Sequence, residues 1–479
     1  MSLTPSINAG NLEPVLRATI TAGKVLTDSE DLDRYTADTF WKSLYFQARG
    51  TPLGRPEIVV VPADDREVAE TVRLANETRT PLVAWGGGSG TQGASVPIAG
   101  GIVLDLRSLN RILEIDEDSL TATVEAGLNG REFEQRLNER GLMFPHYPAS
   151  AEWATVGGYV AARGSGVLST RYGKIEDLLM SLSVVTPTGE QITTVSAPRH
   201  AVGPELTQLY VGSEGTLGVI TRVTVQLARL PERRRFEAVL FPSVNDGVAG
   251  IRDALQRGHR PSVVRMYDPV ATRATLDPVV STGVDGVCAL LIFEGEDASV
   301  EVEASETLRL AQAHGAELLD PGLSESWWEH RYDFYNPPHH PALPAIWGTI
   351  DVVASYSRIG DVYEALQESV ARTYAPIGLE LRSHFSHWYH WGTMIYARFV
   401  IPDAAERPDA EALHDQVWKA GVDAVIAAGG VFNDHHGVGL KLAPFMRPQW
   451  GAAFDQLERI KRALDPNNIM NPGKLGFSP

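Results

Sequence analysis

The stretch from Leu82 to Asp105 carries residues whose types and spacing suit phosphate binding. The apolar segment Leu82–Trp85 is followed, within eight positions, by Gly86, Gly87, Gly88, Gly90 and Gly93. Glycine adopts positive φ at little steric cost and lets backbone N–H groups approach a ligand closely. Consecutive amides in such a turn form a concave, partly positive nest that suits a pyrophosphate. A surface turn without a ligand is the alternative that this stretch alone leaves open.

The identity of this phosphate loop follows from what surrounds it. The spacing G-x-G-x-x-G of Rossmann folds is met by Gly88, Gly90 and Gly93. That fingerprint must open a helix, whereas here Pro97 and Gly100-Gly101 break the chain and an apolar strand follows from Ile102. A Walker loop does not fit, because no Lys-Ser/Thr ends the stretch. The residues therefore predict a nucleotide cofactor held by a non-Rossmann fold.

Length and composition bound the class of protein. A chain of 479 residues predicts two domains, and 43% apolar with 21% charged residues is typical of a globular protein. The net charge of −18 argues against nucleic acid or an anionic membrane as a partner, since both need a basic face. The single cysteine, Cys288, excludes an internal disulfide and a Cys-based metal cluster.

Targeting signals and membrane spans are not visible. The N-terminus lacks the basic-then-apolar pattern of a signal peptide, and no apolar run approaches the roughly 18 residues of a membrane span. The sequence thus predicts a cytoplasmic protein, without membrane insertion, that acts on a small-molecule substrate. It leaves a homodimer open.

The elements that position the glycine loop are a β-α-β unit. An apolar strand at Ile58–Val61 precedes a helix capped near Asp64, and the glycine-loop strand comes next. Residues 1–50 are interpreted as a helix, an acidic turn near residues 28–33 and an irregular aromatic stretch. Residues 104–113 are expected to continue the strands.

Further small-residue loops are interleaved with strands along the first half of the chain. They lie at residues 146–158, 163–166, 170–177 and 212–221. Their number predicts several backbone surfaces closing round one long ligand. From Phe236 onward the strands and helices are longer and carry fewer glycines, so the chain from Pro231 onward is interpreted as a second, substrate-side domain.

Five separated motifs carry a family resemblance. They are W-G-G-G-S-G-T from Trp85, P-A-S-A-E-W-A-T-V-G-G from Pro148, Y-G-K-I-E-D-L from Tyr172, V-G-S-E-G-T-L-G-V-I-T from Val211 and D-P-N-N-I-M-N-P-G-K from Asp465. With them the chain resembles the vanillyl-alcohol-oxidase flavoprotein superfamily. The resemblance implies an α+β fold: a p-cresol methylhydroxylase-type FAD-binding domain of two α/β subdomains, and a cap domain with an antiparallel sheet flanked by helices.

The domain bounds that we expect from this resemblance are four. They are an N-terminal helical or irregular segment at 1–54, the FAD-binding domain at 55–230, the cap or substrate domain at 231–428, and a C-terminal segment at 429–479 that returns to the FAD domain.

The resemblance also implies FAD as the cofactor. Non-covalent attachment is expected, because the glycine loop carries no histidine and Cys288 is distant in sequence; a link through a cap histidine stays open. Carried onto this sequence, the cofactor contacts fall on Trp85, Gly86, Gly87, Gly88, Ser89, Gly90, Thr91, Pro148, Ala149, Ser150, Thr155, Gly157, Gly158, Arg163, Ser165, Gly166, Tyr172, Glu214, Gly215, Gly218, Val219 and Ile220.

Two branches of the superfamily compete. The D-2-hydroxy-acid dehydrogenases carry a metal motif whose second histidine falls on Met394 and whose glutamate falls on His435, so no metal site is predicted. His339 and His340, flanked by prolines, are expected in a solvent-facing loop. The alkyldihydroxyacetonephosphate synthase branch is more similar, with R-G-S-G at Arg163. Its three consecutive histidines correspond here to Asp434-His435-His436.

The resemblance implies five catalytic residues, namely His146, Arg265, Tyr389, His435 and His436. Histidine suits a base because its unperturbed pKa is roughly 6.5, although His436 serving only as a structural hydrogen-bonding group is an equal alternative. Tyr389 is interpreted as a proton relay or oxyanion donor. Arg265 suits a carboxylate or phosphate, which guanidinium binds bidentately, a surface salt bridge being its alternative role.

The expected function is that of an FAD-dependent oxidase or dehydrogenase acting on a hydroxylated organic substrate, with hydride transfer to flavin N5 and a His/Tyr proton network. The expected substrate is a 2-hydroxy acid or a larger or aromatic alcohol. The latter is suggested by the aromatic cluster Ser386–Trp391 with Tyr396, for which packing on the flavin or in the core is the alternative. The alternative is a redox-neutral transferase, similar to the synthase branch, that uses FAD to exchange an acyl for an alkyl group.

Overall fold

The computed structural model of the chain describes residues 9–280, 283–333 and 343–478; His339 and His340 lie outside these ranges. The chain forms two compact units. The first comprises Met1–Gly164, Lys174–Arg229 and His435–Pro479, and the second comprises Ser165–Gly173 and Leu230–Asp434.

The first unit contains a four-stranded sheet that carries the glycine loop. Its strands are, in spatial order, Lys24–Leu26, Ile58–Val61, Ile102–Asp105 and Leu82–Trp85. The last three are parallel to one another and the first is antiparallel. Helix Asp65–Thr78 joins two of them; the Asp64 side chain caps it by accepting the N–H of Glu67. The predicted β-α-β unit is therefore present.

A second, five-stranded antiparallel sheet completes the strands of this unit, together with a two-stranded ribbon. The sheet contains, in order, Ile112–Asp116, Thr121–Glu125, Val219–Gln226, Leu179–Val185 and Gln191–Thr193. The ribbon pairs Leu142–Met143 with Ala228–Arg229. The α-helices of the unit are Ala9–Thr19, Ser29–Asp33, Trp41–Ala48, Asp65–Thr78, Gly130–Asn138, Val156–Ala162, Ile175–Leu178, Thr207–Tyr210, Met446–Trp450 and Phe454–Leu464.

The second unit is built on one eight-stranded antiparallel sheet. Its spatial order is Glu317–Leu319, Arg233–Phe241, Val287–Gly295, Val263–Tyr267, Glu380–Phe385, Gly392–Ile401, Ile346–Ser355 and Val431–Phe432. The longer helices of this unit are Val244–Gln256, Asp297–Ala313, Gly322–His330, Ile359–Leu366 and Ala410–Ala427, and the shorter ones are Ser169–Tyr172, Pro269–Ala271 and Asp277–Val280. The predicted antiparallel sheet with flanking helices is thus observed.

Three local predictions were wrong. The aromatic stretch near the N-terminus is the helix Trp41–Ala48, because Trp41 is buried and stacks on Tyr45 with ring centroids 4.7 Å apart. The acidic turn is the short helix Ser29–Asp33. The strand expected at residues 104–113 is interrupted by a 3₁₀ turn at Leu106–Ser108. Within the described residues, no helix is long and apolar enough to cross a membrane.

Candidate functional site

The glycine loop of the first unit offers a run of unused backbone donors. Gly88 and Gly93 have φ of +64° and +80°, so the loop needs glycine at both positions. No backbone N–H from Gly86 to Thr91 donates a hydrogen bond to another described residue. Buried or half-buried amides are normally paired. This row of unpaired amides therefore fits the diphosphate of a dinucleotide such as FAD.

The loop is held close to the predicted motif that begins at Pro148. A Cβ on Gly87 would lie 1.8 Å from the Trp153 carbonyl oxygen, and a Cβ on Gly86 would lie 2.6 Å from Thr155 Oγ1. Thr155 in turn caps the helix Val156–Ala162 by accepting the N–H of Gly158 at 3.2 Å. The structure thus brings two of the predicted cofactor segments together.

Other predicted cofactor residues of this unit have a packing role in the structure. A Cβ on Gly157 would meet Ala126 Cβ at 2.6 Å, so this glycine allows the helix to pack closely. Gly218 has φ of +153°, and Val219 and Ile220 begin a strand paired with Val184 and Val185. Arg163 ends its helix in the left-handed region and forms an ion pair with Glu176.

Glu214 connects two loops of the first unit. Its side chain is buried, and its carboxylate accepts the backbone N–H groups of Val438 and Gly439. Burial raises the pKa of Glu214 to about 7, against the lowering effect of these two donors and of Lys474. The residue therefore fixes the loop that follows His435 and His436.

Asp38 and Lys474 share this buried region, and sequence reasoning selected neither. Asp38 Oδ1 accepts from Phe40 N and Ser43 Oγ, whereas its buried Oδ2 has no hydrogen-bond partner in the described chain. Burial raises the pKa of Asp38 to about 6. Burial lowers the pKa of Lys474 to about 8, opposed by Asp38 and Glu214. Lys474 belongs to the N-P-G-K motif, the one signal that could have found it.

His146 is a fully buried histidine in the first unit. Neither ring nitrogen makes a hydrogen bond within the described residues. Its ring lies 4.7 Å from that of Tyr159, centroid to centroid. Burial lowers the pKa of His146 to about 3, and electrostatic interactions with Lys174 and His435 add to the effect. The imidazole is therefore neutral at ordinary pH, and its unused nitrogens fit a bound ligand.

His435 and His436 are both half-buried, and their ring centroids are 4.1 Å apart. Gly437, with φ of +76°, turns the chain directly after them. A Cβ at this glycine would lie 2.2 Å from Glu214 Oε1. The two imidazoles are thus presented side by side on a loop that has little room to move.

Tyr389 and Asp434 form a hydrogen-bonded pair in the second unit. The Tyr389 hydroxyl donates to Asp434 Oδ1 at 2.7 Å, and the Ser165 hydroxyl donates to Asp434 Oδ2 at 3.4 Å. Ser169 Oγ lies 2.7 Å from His387 Nδ1, so a second residue of the segment Ser165–Gly173 pairs with the same unit. Sequence reasoning noted Asp434 only as a departure from the three-histidine pattern.

Gly166 and Tyr172 of the segment Ser165–Gly173 also belong to the second unit. Gly166 lies between Ser165 and Ser169. Burial raises the pKa of Tyr172, and the nearby Glu294 carboxylate adds to the effect. The predicted cofactor residues Ser165, Gly166 and Tyr172 thus belong to a different unit from the glycine loop.

Arg265 is half-buried, and no carboxylate of the described chain forms an ion pair with its guanidinium. Its Nε donates to the Tyr267 hydroxyl at 2.9 Å, and its Nη2 lies 2.9 Å from His384 Nε2. The guanidinium also lies 5.3 Å from the ring centroid of Trp327. Among the described residues Arg265 forms no salt bridge, which was considered as its alternative role. The arrangement fits an anionic ligand.

The aromatic stretch expected near the substrate has mixed exposure. Trp388 is buried, with its ring centroid 6.1 Å from that of Phe385. Tyr396 stacks on His384 at 4.6 Å. Trp391 is exposed and stacks on Tyr389 at 5.4 Å. Core packing thus explains Trp388 without a ligand.

Two family models match this chain. The one described as "FAD binding domain" matches residues 56–195. The one described as "FAD linked oxidases, C-terminal domain" matches residues 230–475, more than half of the sequence.

Individual relatives and a solved structure agree with these matches. An alkyldihydroxyacetonephosphate synthase of Trypanosoma brucei brucei is 30% identical to this chain, and the match covers 92% of this chain and 76% of the synthase. A mitochondrial D-lactate dehydrogenase [cytochrome] of Arabidopsis thaliana is 28% identical, covering 88% and 73%. A solved alkyldihydroxyacetonephosphate synthase superposes with a TM-score of 0.79 at 23% identity, covering 98% and 86%. The predictions of an FAD-binding fold and of FAD as cofactor are confirmed.

Proposed function

The chain belongs to the family of FAD-linked oxidases, and we propose that it oxidises a hydroxylated organic acid, with Arg265 binding the anionic group. The observation that carries this proposal is the half-buried Arg265 guanidinium, held by Tyr267 and His384 but neutralised by no described carboxylate. A carboxylate or phosphate on the substrate would supply the missing charge bidentately. Within the family's range, a 2-hydroxy acid meets this requirement most simply.

We further propose that FAD is held non-covalently by the first unit. The unpaired amides from Gly86 to Thr91 support a diphosphate there. Bound FAD supplies the two-electron acceptor for the substrate hydride. The protein's own residues bind and orient the substrate and take up its hydroxyl proton.

Proton transfer is assigned to Tyr389, His435 and His436. A proton acceptor must lie within hydrogen-bond reach of the hydroxyl and keep an available lone pair. The Tyr389 hydroxyl donates its own proton to Asp434 Oδ1, an arrangement that suits a proton relay. His146 is neutral, since its pKa is lowered to about 3, so it serves as a hydrogen-bonding group rather than as a cation.

A second candidate is a redox-neutral transferase of the alkyldihydroxyacetonephosphate synthase type, which uses FAD in exchanging an acyl for an alkyl group. The 30% identity to the Trypanosoma protein of that name favours it. Asp434 favours oxidation instead, because it replaces the first histidine of the synthase-like triplet and directs the Tyr389 hydroxyl.

The test is a substrate panel of 2-hydroxy acids, phenolic alcohols and acyl-dihydroxyacetone phosphate offered to the wild type and to Arg265→Gln. We expect a 2-hydroxy acid to bleach the visible flavin band of the wild type. The Arg265→Gln variant should need at least tenfold more of that acid, since a charge-assisted pair contributes about 1.5–3 kcal/mol. Uncharged alcohols that react best, and equally with both proteins, would overturn the proposal.

A further inference from the structure

Asp38 and Thr39 lie against the glycine loop of the first unit. The N–H and the hydroxyl of Thr39 both donate to the Gly90 carbonyl, at 3.0 and 2.9 Å. The Asp38 side chain faces the same glycine, because a Cβ built on Gly90 would lie 3.8 Å from Asp38 Oδ2. Beyond its chain neighbours, that Cβ would meet no other atom of the described residues within 4 Å. The space beside Gly90 is therefore open, and the Asp38 carboxylate borders it.

The Asp38 carboxylate is buried with one oxygen unused. The residue is 3% exposed. Its Oδ1 accepts the N–H of Phe40 at 3.1 Å and the hydroxyl of Ser43 at 3.0 Å, whereas its Oδ2 has no hydrogen-bond partner among the described residues. No lysine, arginine or histidine of the described chain forms an ion pair with it. A buried carboxylate oxygen without a donor calls for a proton or a ligand.

Two charged side chains act on Asp38 from other elements, namely Lys474 of the C-terminal motif and Glu214. Neither neutralises it by direct contact. Lys474 Nζ donates instead to the Val96 carbonyl at 2.6 Å and to Asn471 Oδ1 at 3.3 Å. The Glu214 carboxylate is used by backbone N–H groups. Glu214 therefore adds like charge, and Lys474 opposes it only from beyond ion-pair distance.

An ionised Asp38 and a diphosphate at the glycine loop would repel each other. The unpaired amides from Gly86 to Thr91 fit a diphosphate, and like charges at a buried place are screened less than in water. A protonated carboxyl carries no charge and has an O–H group to donate. Burial raises the pKa of Asp38 to about 6, against the lowering effects of its hydrogen bonds and of Lys474. The neutral acid is therefore accessible close to neutral pH.

We propose that Asp38 is an FAD-binding residue that acts as the neutral acid, so that the first unit takes up one proton from solvent with each FAD. This inference rests on the proposed non-covalent FAD site. Below about pH 6 Asp38 is neutral before FAD binds, so its protonation adds no pH dependence. At higher pH the free protein carries the carboxylate, and binding must include its protonation. The affinity then falls by at most about tenfold per pH unit.

The test is FAD binding to the apoprotein, prepared by releasing FAD from the purified whole chain. The Kd is measured from the fluorescence change on titration, and proton uptake from calorimetry in buffers of different ionisation enthalpy. Between about pH 5.5 and 7.5 we expect Kd to rise about tenfold or more, with close to one proton taken up per FAD near pH 7. A constant Kd without proton uptake would overturn the inference, whether or not any variant folds.

Asp38→Asn is the informative variant, because its amide is uncharged at every pH and can donate a hydrogen bond. Near pH 7.5 it should bind FAD about tenfold more tightly than the wild type, and near pH 5.5 equally well, without proton uptake. A merely structural Asp38 would instead give weaker binding at every pH. Asp33→Asn is the matched control, since Asp33 is an exposed acid that pairs with Arg55 at 2.7 Å. It should keep the wild-type pH dependence.

Glu214→Gln separates the two buried acids of this region. Burial raises the pKa of Glu214 to about 7, so it titrates in the same range, but both of its oxygens already accept backbone N–H groups. Proton uptake that is lost in Glu214→Gln and kept in Asp38→Asn would make this inference wrong and leave the FAD site standing. A wild type that takes up no FAD, or whose flavin stays in the denatured pellet, would refute the proposed FAD site and this inference together.

Discussion

The backbone N–H of Gly439 lies 2.8 Å from a carboxylate oxygen of Glu214. The other oxygen of the same carboxylate accepts the N–H of Val438. A motif that sequence reasoning assigned to the cofactor thus holds, within the first unit, the loop that presents two histidines. The position of those histidines depends on one buried acid.

Replacing Glu214 by alanine should destabilise the first unit. The change leaves one buried amide (Gly439) and one half-buried amide (Val438) without acceptors and removes one of the carboxylates near Lys474, so we expect a loss of about 2–4 kcal/mol. Thermal unfolding, followed together with flavin release, measures it. Glu139→Ala, at an exposed position, is the control. An unchanged midpoint for Glu214→Ala would show that the contact is not structural.

Asp38→Asn should change how stability depends on pH. Burial raises the folded-state pKa of Asp38 to about 6, above its unfolded value of about 3.9. The folded state therefore binds the proton more tightly, and wild-type stability is lost as pH rises from about 4 to about 6, by up to ~3 kcal/mol. The amide does not titrate. Denaturation midpoints measured at several pH values should show the stability of the variant increasing relative to that of the wild type between about pH 4 and 6. A stability difference that does not change with pH would contradict the raised pKa of Asp38.

Arg265→Lys should weaken substrate binding although it keeps the positive charge. Lysine cannot reproduce the fork that contacts Tyr267 and His384 while binding an anion bidentately, so we expect KM to rise about tenfold or more. Arg273→Lys is the control, since Arg273 is exposed and ion-paired with Asp285. Equal KM values for Arg265→Lys and the wild type would show that Arg265 does not bind the anionic group of the substrate bidentately.

His146→Phe should separate stability from activity. The substitution removes two ring nitrogens that lack partners in the described chain, next to the apolar Phe144, so stability should be unchanged or rise by up to about 1 kcal/mol. The rate should fall at least tenfold if those nitrogens contact a ligand. Because the pKa of His146 is about 3, the pH profile between about 5 and 9 should contain no step from it. A variant with full activity would show that His146 is only a core residue.

The sequence was informative where function depends on local chain geometry. The glycine loop and its flanking strands were predictable because both signals, glycines that permit positive φ and runs of apolar residues, lie in adjacent positions of the sequence. The roles of Asp434 and Asp38 were not, because they depend on distant contacts. Asp434 meets Tyr389 from 45 positions away and Ser165 from 269 positions away. The glutamate of G-S-E-G looked like a cofactor contact because its motif is rich in glycine, whereas its carboxylate is used by Val438 and Gly439.

The most direct test of the central claim is anaerobic mixing of the FAD-loaded protein with the best 2-hydroxy acid. We predict that the visible flavin band bleaches with one equivalent of 2-oxo acid formed per flavin, and that it stays bleached until an oxidant is added. Turnover of acyl-dihydroxyacetone phosphate with no net bleaching, and no reaction with any hydroxy acid, would contradict the account and favour the transferase.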